Sequence, residues 1–265
     1  GRRGGRPMNS VLIVARNTFR EAVRDRVLYN LVFFALLMIA SAMLIGQISM
    51  GIETMVMISL GLGAISLIGL LIAVFTGVGL VSKEIDKRTL HAVLAKPLRR
   101  SEFLLGKFVG LVLTLAVNTA AMAAGLFLAL LFVKHSITRG DAVVAVAVYF
   151  ILLKLMLVVA LAMLFSCFTT PLLALLFTGG LYLAGLFVSE LRNLQVTNLT
   201  PQMQKFFTVI SYILPNFGNY DVMGAAAHGR GVAGTLVLHN TLYTLLYSAI
   251  VLSAAAVIFS RKDLK

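Results

Sequence analysis

One lysine lies deep inside an apolar stretch of this chain, where packing alone does not explain it. Lys154 falls near the middle of the run Ala142–Phe168, roughly 20 Å from either end by helical rise, too far for its side chain to reach water. A charged lysine there costs about 2.5 to 3.5 kcal/mol on insertion scales, so we expect it to face a wet cavity or a polar partner. Asn118 and the Tyr149 hydroxyl are candidate partners, and together with Lys154 they are the three pathway candidates. Two roles stay open: a structural lysine that is hydrogen-bonded or neutral, or a pathway residue that contacts an anionic or carbonyl-bearing cargo.

Other patterns that could support chemistry are incomplete. Met50, Met55 and Met57 cluster without Cys or His, and the four histidines show no metal-ligand spacing. No G-x-S-x-G occurs, and Gly106-Lys107 is the nearest approach to a phosphate-binding loop but lacks the following Ser or Thr. We therefore expect no metal site and no cofactor in this chain. An intramembrane enzyme acting alone is the least favoured function.

The composition is that of a membrane protein. Hydrophobic residues make up 60% of the 265 residues and charged residues 12%, which leaves too little polar surface for a water-soluble globule. The apolar residues form runs long enough to cross about 30 Å of hydrocarbon as helices, without the period-two alternation of a barrel. We predict an all-α polytopic protein in which residues 1–7 are an extension or expression remnant and 8–265 form one transmembrane domain. Its six predicted spans are Leu28–Gly46, Met55–Ser82, Leu104–Val133, Ala142–Phe168, Pro171–Ser189 and Thr235–Phe259.

The positive charges predict the orientation of these spans. Of the 23 Lys and Arg residues, 17 fall on the side of the termini and five on the other side, with Lys154 inside a span. The positive-inside rule then places both termini in the cytoplasm. The net charge of +13 lies mainly at the cytoplasmic membrane edge, where it meets anionic lipid. We therefore expect membrane lipid, and no nucleic acid, as a partner.

An amphipathic helix is predicted before the first span. Within Val11–Arg26, apolar residues recur at three- and four-residue steps while arginines fall largely on another face. Such a helix lies along the membrane surface as an elbow. Whether it only anchors the topology or also docks a partner stays open. Its candidate site residues are Arg16, Phe19, Arg20 and Arg24.

A second short amphipathic helix is predicted between the second and third spans. Residues 84–96 carry an apolar stripe beside dense charge, and Pro97 ends the helix. A helix that is too short to cross the membrane, and is joined to two helices that do cross it, is suited to transmit a mechanical displacement to them. The alternative is a solvated loop whose charges obey the positive-inside rule.

The least hydrophobic part outside the cytoplasmic face is Glu190–Gly234. Its apolar residues recur at helical spacing until Pro215 interrupts them, too soon to cross a membrane. This pattern predicts short interfacial helices between the fifth and sixth spans. Small residues elsewhere, such as Gly61 and Gly77 in the second span and Gly106 and Gly110 in the third, allow close helix approach within the chain or across a dimer.

The segment from Glu84 to Gly110 resembles the signature of ABC-2 type transporter permeases, membrane subunits of ATP-binding-cassette transporters. The signature is an acid, a basic pair, and then T-L-x-x-x-L-x-x-P-x-x-R-x-E-F-L-L-G-K-x-x-G. It is carried by Glu84, Lys87, Arg88, Thr89, Leu90, Leu94, Pro97, Arg100, Glu102, Phe103, Leu104, Leu105, Gly106, Lys107 and Gly110. The resemblance extends from the elbow through six spans to the closing F-S-R-K-D-L. Where many members have Gly-Thr-Leu-Glu, this chain has R-T-L-H, so the subfamily and cargo stay open.

The resemblance implies an exporter built from two permeases and two cytoplasmic ATPases, in a cell inner membrane of bacterial type. The second permease would be an identical copy or a close homologue, and the ATPase would bind ATP and Mg²⁺. The segment after the second span would be a coupling helix in a groove of the ATPase, carried by Glu84, Asp86, Lys87, Arg88, Thr89, Leu90, His91, Leu94 and Pro97. Short re-entrant helices would close the extracellular end, with gate candidates Phe206, Ile210, Ile213, Pro215 and Phe217. The competing function is an integral anchor or assembly factor that holds a cytoplasmic partner without moving cargo.

Overall fold

The described part of the chain is mostly helical and contains no strand. The computed structural model describes residues 11–20, 33–34, 37, 53–86, 100–134, 141–188, 202, 209 and 214–261, without the side chains of 80–86, 100 and 261. The prediction of an all-α protein is confirmed for these residues. The helices are α1 (Glu53–Asp86), α2 (Arg100–Lys134), α3 (Ala142–Phe168), α4 (Pro171–Leu186), α5 (Met223–Ala227) and α6 (Gly234–Arg261), with a 3₁₀ turn at Gly218–Tyr220 and a further helical segment at 11–20.

Four of these helices, α1, α2, α3 and α6, are long and apolar enough to cross a membrane. They correspond to the second, third, fourth and sixth predicted spans, so the chain is a multi-pass membrane protein. The fifth predicted span begins at Pro171 as expected, but α4 ends at Leu186 after 16 residues, about 24 Å of helix against about 30 Å of hydrocarbon. The first predicted span lies outside the described residues except for Phe33, Phe34 and Leu37.

The core of the bundle surrounds α3. This helix packs against α1, α2, α4 and α6, and every residue from Leu157 to Met163, nearly two full turns, is at most 2% exposed. A helix that is apolar all round is expected to be enclosed by others. Lys154 therefore lies in the most enclosed helix of the described bundle.

Glycines on α1 allow its close approach to α3. A Cβ added at Gly69 would lie 2.5 Å from Leu155 Cδ1, and one at Gly77 would lie 2.8 Å from Ala162 Cβ. Gly63 instead has nothing within 4 Å of such a Cβ. The sequence left open whether small residues such as Gly77 serve the chain itself or a dimer. The structure places Gly77, together with Gly69, in contacts within the chain.

Candidate functional site

The Lys154 side chain, on α3, contacts α1 and α4. Its Nζ donates a hydrogen bond to Ser66 Oγ of α1 at 2.7 Å and lies 6.0 Å from the ring centroid of Tyr182 on α4. Only 5% of the lysine is exposed. The hydrogen-bonded structural role has the polar partner that it needs, but neither Asn118 nor Tyr149 provides it.

Ser66 is the partner that sequence reasoning missed. A serine in an apolar helix usually donates to its own backbone, so its residue type gave no signal. The position of Ser66 did give a signal. Ser66 is the middle residue of Glu53–Gly79, and Lys154 lies one residue from the middle of Ala142–Phe168. Matching depths in neighbouring spans could have identified the pair.

The other two pathway candidates lie apart from this pair. The Tyr149 hydroxyl is 2.9 Å from Thr241 Oγ1 of α6; because Thr241 already donates to Val237 O, Tyr149 is the donor. Asn118 on α2 is 1% exposed, and its Oδ1 has no hydrogen-bond partner within the described structure. The structure therefore does not join the three pathway candidates by hydrogen bonds.

A column of polar residues follows the buried face of α6. Asn240, Thr244 and Ser248 are spaced four apart and are each at most 1% exposed. Asn240 Nδ2 donates to Asn219 O at 2.9 Å, whereas Ser248 Oγ has no partner among the described residues. Asn240, at one end of this column, is thus hydrogen-bonded to the segment that precedes α6. Ser248, at the other end, makes no such bond within the described structure.

Tyr220 connects that preceding segment to the core. Its hydroxyl lies 2.6 Å from Thr244 Oγ1, and because Thr244 donates to Asn240 O, Tyr220 is the donor to Thr244. Burial raises the pKa of Tyr220 above its usual value, with the Thr244 hydrogen bond acting in the opposite direction. The ring meets Phe150 of α3 edge-on, with centroids 6.3 Å apart. The phenol therefore stays protonated at neutral pH and can keep this hydrogen bond.

Residues 214–233 belong to the part of the chain that the sequence predicts to lie outside the cytoplasm, and they are here called the outer segment. They include two of the five gate candidates. Pro215 and Phe217 are buried; Phe217 N donates to Gly185 O of α4 at 3.0 Å, and the Phe217 and Tyr182 ring centroids are 5.1 Å apart. Glycine is needed at position 185 because an added Cβ would collide with Pro215 O and the Phe217 ring. The remaining gate candidates, Phe206, Ile210 and Ile213, lie outside the described residues.

Asp221 is a carboxylate of the outer segment. Its side chain is exposed and accepts a hydrogen bond from Met223 N at 3.2 Å. Sequence reasoning looked for a carboxylate only inside the spans and therefore did not consider this one.

The N-terminal helical segment 11–20 packs against the start of α2. A Cβ added at Gly106 would lie 2.7 Å from Val14 Cβ, and one at Gly110 would lie 2.7 Å from both Ala15 O and Thr18 Cβ. These two glycines therefore form the contact with this segment. Of its candidate site residues, Arg16 and Arg20 are exposed, Phe19 is half-buried, and Arg24 lies outside the described residues.

Most of the predicted coupling residues lie outside the residues that the structure describes. Glu84 and Asp86 belong to the end of α1, which runs without a break to Asp86. The other coupling candidates lie outside the described residues: Lys87, Arg88, Thr89, Leu90, His91, Leu94 and Pro97. The separate coupling helix thus stays a prediction, apart from the observation that its first residues continue α1.

A comparison with protein families identifies the class to which these helices belong. The model of a family described as ABC-2 family transporter protein matches residues 12–264. The match begins within the N-terminal helical segment and extends past the end of α6. A comparison with curated proteins gave no match.

Proposed function

This chain belongs to the ABC-2 family of transporter proteins, and we propose that it is the permease subunit that couples a transmembrane pathway to ATP hydrolysis. Members of this family typically work with an ATP-binding subunit, and the membrane component is generally not catalytic by itself. We infer that a separate cytoplasmic ATPase binds ATP and Mg²⁺. A second permease, identical or closely related, completes the unit, and the direction is export from the cytoplasm across an inner membrane.

The observation that carries the coupling role is that two long helices, α1 and α2, directly flank the proposed coupling segment. α1 extends to Asp86 and α2 begins at Arg100, so only residues 87–99 separate two helices of 34 and 35 residues. A long helix transmits a displacement of its end along its axis. A force that an ATPase applies to residues 84–97 would therefore reach both helices, and through α1 the Ser66–Lys154 pair.

The N-terminal helical segment supports the same mechanism. Gly106 and Gly110 lie within the first three turns of α2, so the segment is seated on the part of α2 nearest the proposed coupling site. Its exposed Arg16 and Arg20 suit a surface of anionic lipid. We propose that this segment is an elbow that follows the start of α2 when the ATPase moves it.

The proposed coupling role is tested by purifying the tagged chain in mild detergent and identifying the proteins that accompany it. We expect an ATPase at about one copy per permease. Glu84→Ala should weaken the coupling of its ATP hydrolysis to the permease. Glu53→Ala, at the opposite end of α1, is the matched control and should leave coupling unchanged.

The absence of any nucleotide-binding subunit, under conditions that preserve the membrane complex, would contradict this mechanism. The result would then favour the competing function, an integral anchor or assembly factor. Equal effects of the two glutamate substitutions would contradict the assignment of the coupling site alone.

Lys154 is the proposed pathway residue. We expect Lys154→Met to leave the chain inserted in the membrane, because it removes a costly buried charge, but to lower transport. Unchanged transport in this variant would leave only the structural role of the lysine.

A further inference from the structure

Each of the four candidate spans has a buried polar side chain at its centre. Ser66 is the middle residue of its span, and Asn118, Lys154 and Ser248 lie within one residue of the middle of theirs. The hydrogen bond between Ser66 and Lys154 shows that two of these positions lie at the same level of the bundle. These four residues are called the central polar layer.

Two members of this layer have polar atoms without a partner. Asn118 Oδ1 accepts no hydrogen bond, and Ser248 Oγ neither donates nor accepts one, within the described structure. Both residues are nevertheless buried, with 1% of their surface exposed. Buried polar atoms are nearly always hydrogen-bonded, because leaving one unsatisfied destabilises a protein. Thr119, next to Asn118 and equally buried, shows the ordinary solution, since its hydroxyl donates to Leu115 O at 2.8 Å.

We propose that the central polar layer binds the cargo, and that the cargo carries an anionic group together with hydroxyl or amide hydrogen-bond donors. This proposal rests on the proposed permease function. Ser66 takes one of the three N–H donors of the Lys154 ammonium, which leaves others for an anion. Asn118 Oδ1 accepts from a donor group, and the Ser248 hydroxyl either donates or accepts. A purely apolar cargo would leave these groups unpaired, and a cationic cargo would be repelled by the ammonium.

The two halves of the layer lie on different pairs of helices. Ser66 and Lys154 join α1 to α3, whereas the unpaired groups of Asn118 and Ser248 lie on α2 and α6, which contact each other. All four side chains are enclosed in this conformation, so binding requires these helices to move. α2 begins where the proposed coupling segment ends, which gives the ATPase a direct means of moving Asn118.

The test measures the melting temperature of the full chain in phosphatidylcholine nanodiscs with three probes. Palmitoyl lysophosphatidylglycerol carries an anionic phosphate and hydroxyl groups on a lipid, and glycerol phosphate carries the same groups free in solution. Hexadecyltrimethylammonium is the cationic control. We expect at least one anionic probe to raise the melting temperature by about 2 °C or more, and the cationic probe to leave it unchanged. Comparison of the two anionic probes distinguishes a lipid cargo from a soluble one.

Asn118→Leu and Ser248→Ala test the two unpaired atoms. Each should raise the melting temperature without probe by about 2 °C or more, because each removes an unsatisfied polar atom, and each should abolish the rise that the anionic probe produces. Thr119→Val is the matched control. Its hydroxyl is bonded to its own helix, so it should gain no stability and keep the response to the probe.

Four results would overturn the proposal: no rise with either anionic probe, an equal rise with the cationic probe, an undiminished probe response in both layer variants, or no gain in stability in either. The last would show that both atoms are satisfied in the protein. These readouts do not depend on an ATPase, and the Glu84→Ala experiment does not depend on a probe. Failure of the cargo proposal is therefore distinguishable from failure of the permease function.

Discussion

Replacement of Gly110 by alanine should push the N-terminal helical segment away from α2. The new Cβ would lie 2.7 Å from Ala15 O and 2.7 Å from Thr18 Cβ, whereas ordinary contacts between such atoms are about 3.5 to 4.0 Å. The segment must therefore retreat by roughly 1 Å. Ala15 O belongs to the backbone, so a side-chain rotation cannot relieve the clash.

The size of the effect follows from two opposing terms. Overpacking of this kind costs about 1–3 kcal/mol, and alanine in a helix gains about 1 kcal/mol over glycine. Gly63→Ala on α1 isolates the second term, because nothing lies within 4 Å of the added Cβ. The difference in stability between the two variants is therefore the steric cost alone, about 1–3 kcal/mol.

Thermal unfolding of the full chain in nanodiscs measures this difference. At about 2–4 °C per kcal/mol for a chain near this size, we expect Gly110→Ala to melt several degrees below Gly63→Ala. Gly106→Ala should resemble Gly110→Ala, because its Cβ would lie 2.9 Å from Val11 O. Equal melting temperatures for Gly110→Ala and Gly63→Ala would refute the seating of the N-terminal segment on these glycines.

Three further predictions concern the outer segment and the buried lysine. Gly185→Ala should detach the outer segment and melt below Gly180→Ala, a control on the same helix with nothing within 4 Å; equal melting would contradict this contact. Tyr220→Phe should cost about 1 kcal/mol in denaturant unfolding, and a double-mutant cycle with Thr244→Val should show a non-additive term, whereas strict additivity would exclude their hydrogen bond. Ser66→Ala should cost about 1.5–3 kcal/mol, because it removes the acceptor of a buried ammonium. That cost should disappear once the lysine is replaced by methionine, and its persistence would show that the serine acts through other contacts.

The long helices could be predicted from the sequence because hydropathy is a local property. The predicted boundaries Ala142–Phe168 coincide with α3, where Asp141 precedes the apolar run and Pro171 begins the next helix. The end of α4 was harder to place, because the apolar composition continues beyond Leu186 into Phe187 and Val188. Hydropathy does not distinguish a helix that stops within an apolar run from one that continues.

The partners of the buried groups could not be predicted in the same way, because they depend on how the helices pack. Lys154 was singled out by its charge, but Asn118 and Tyr149 were predicted as its partners and Ser66 was missed. Matching depth would have added Ser66 to the candidates, and only the packing of α1 against α3 shows that it is the partner. The glycines show the same limit. Gly63 and Gly69 share a helix and a residue type, yet only Gly69 contacts α3.

The proposed gate and the central polar layer share a chain of contacts, which suggests that they open together. On α3, Phe150 lies one turn from Lys154 and contacts the Tyr220 ring of the outer segment. On α4, Tyr182 faces both Lys154 and Phe217. Displacement of the outer segment would therefore remove Phe217 from Tyr182 and Tyr220 from Phe150, and would uncover the lysine from the outer side. If these two rings hold the proposed gate, their displacement would open the proposed cargo site directly, without a separate relay between them.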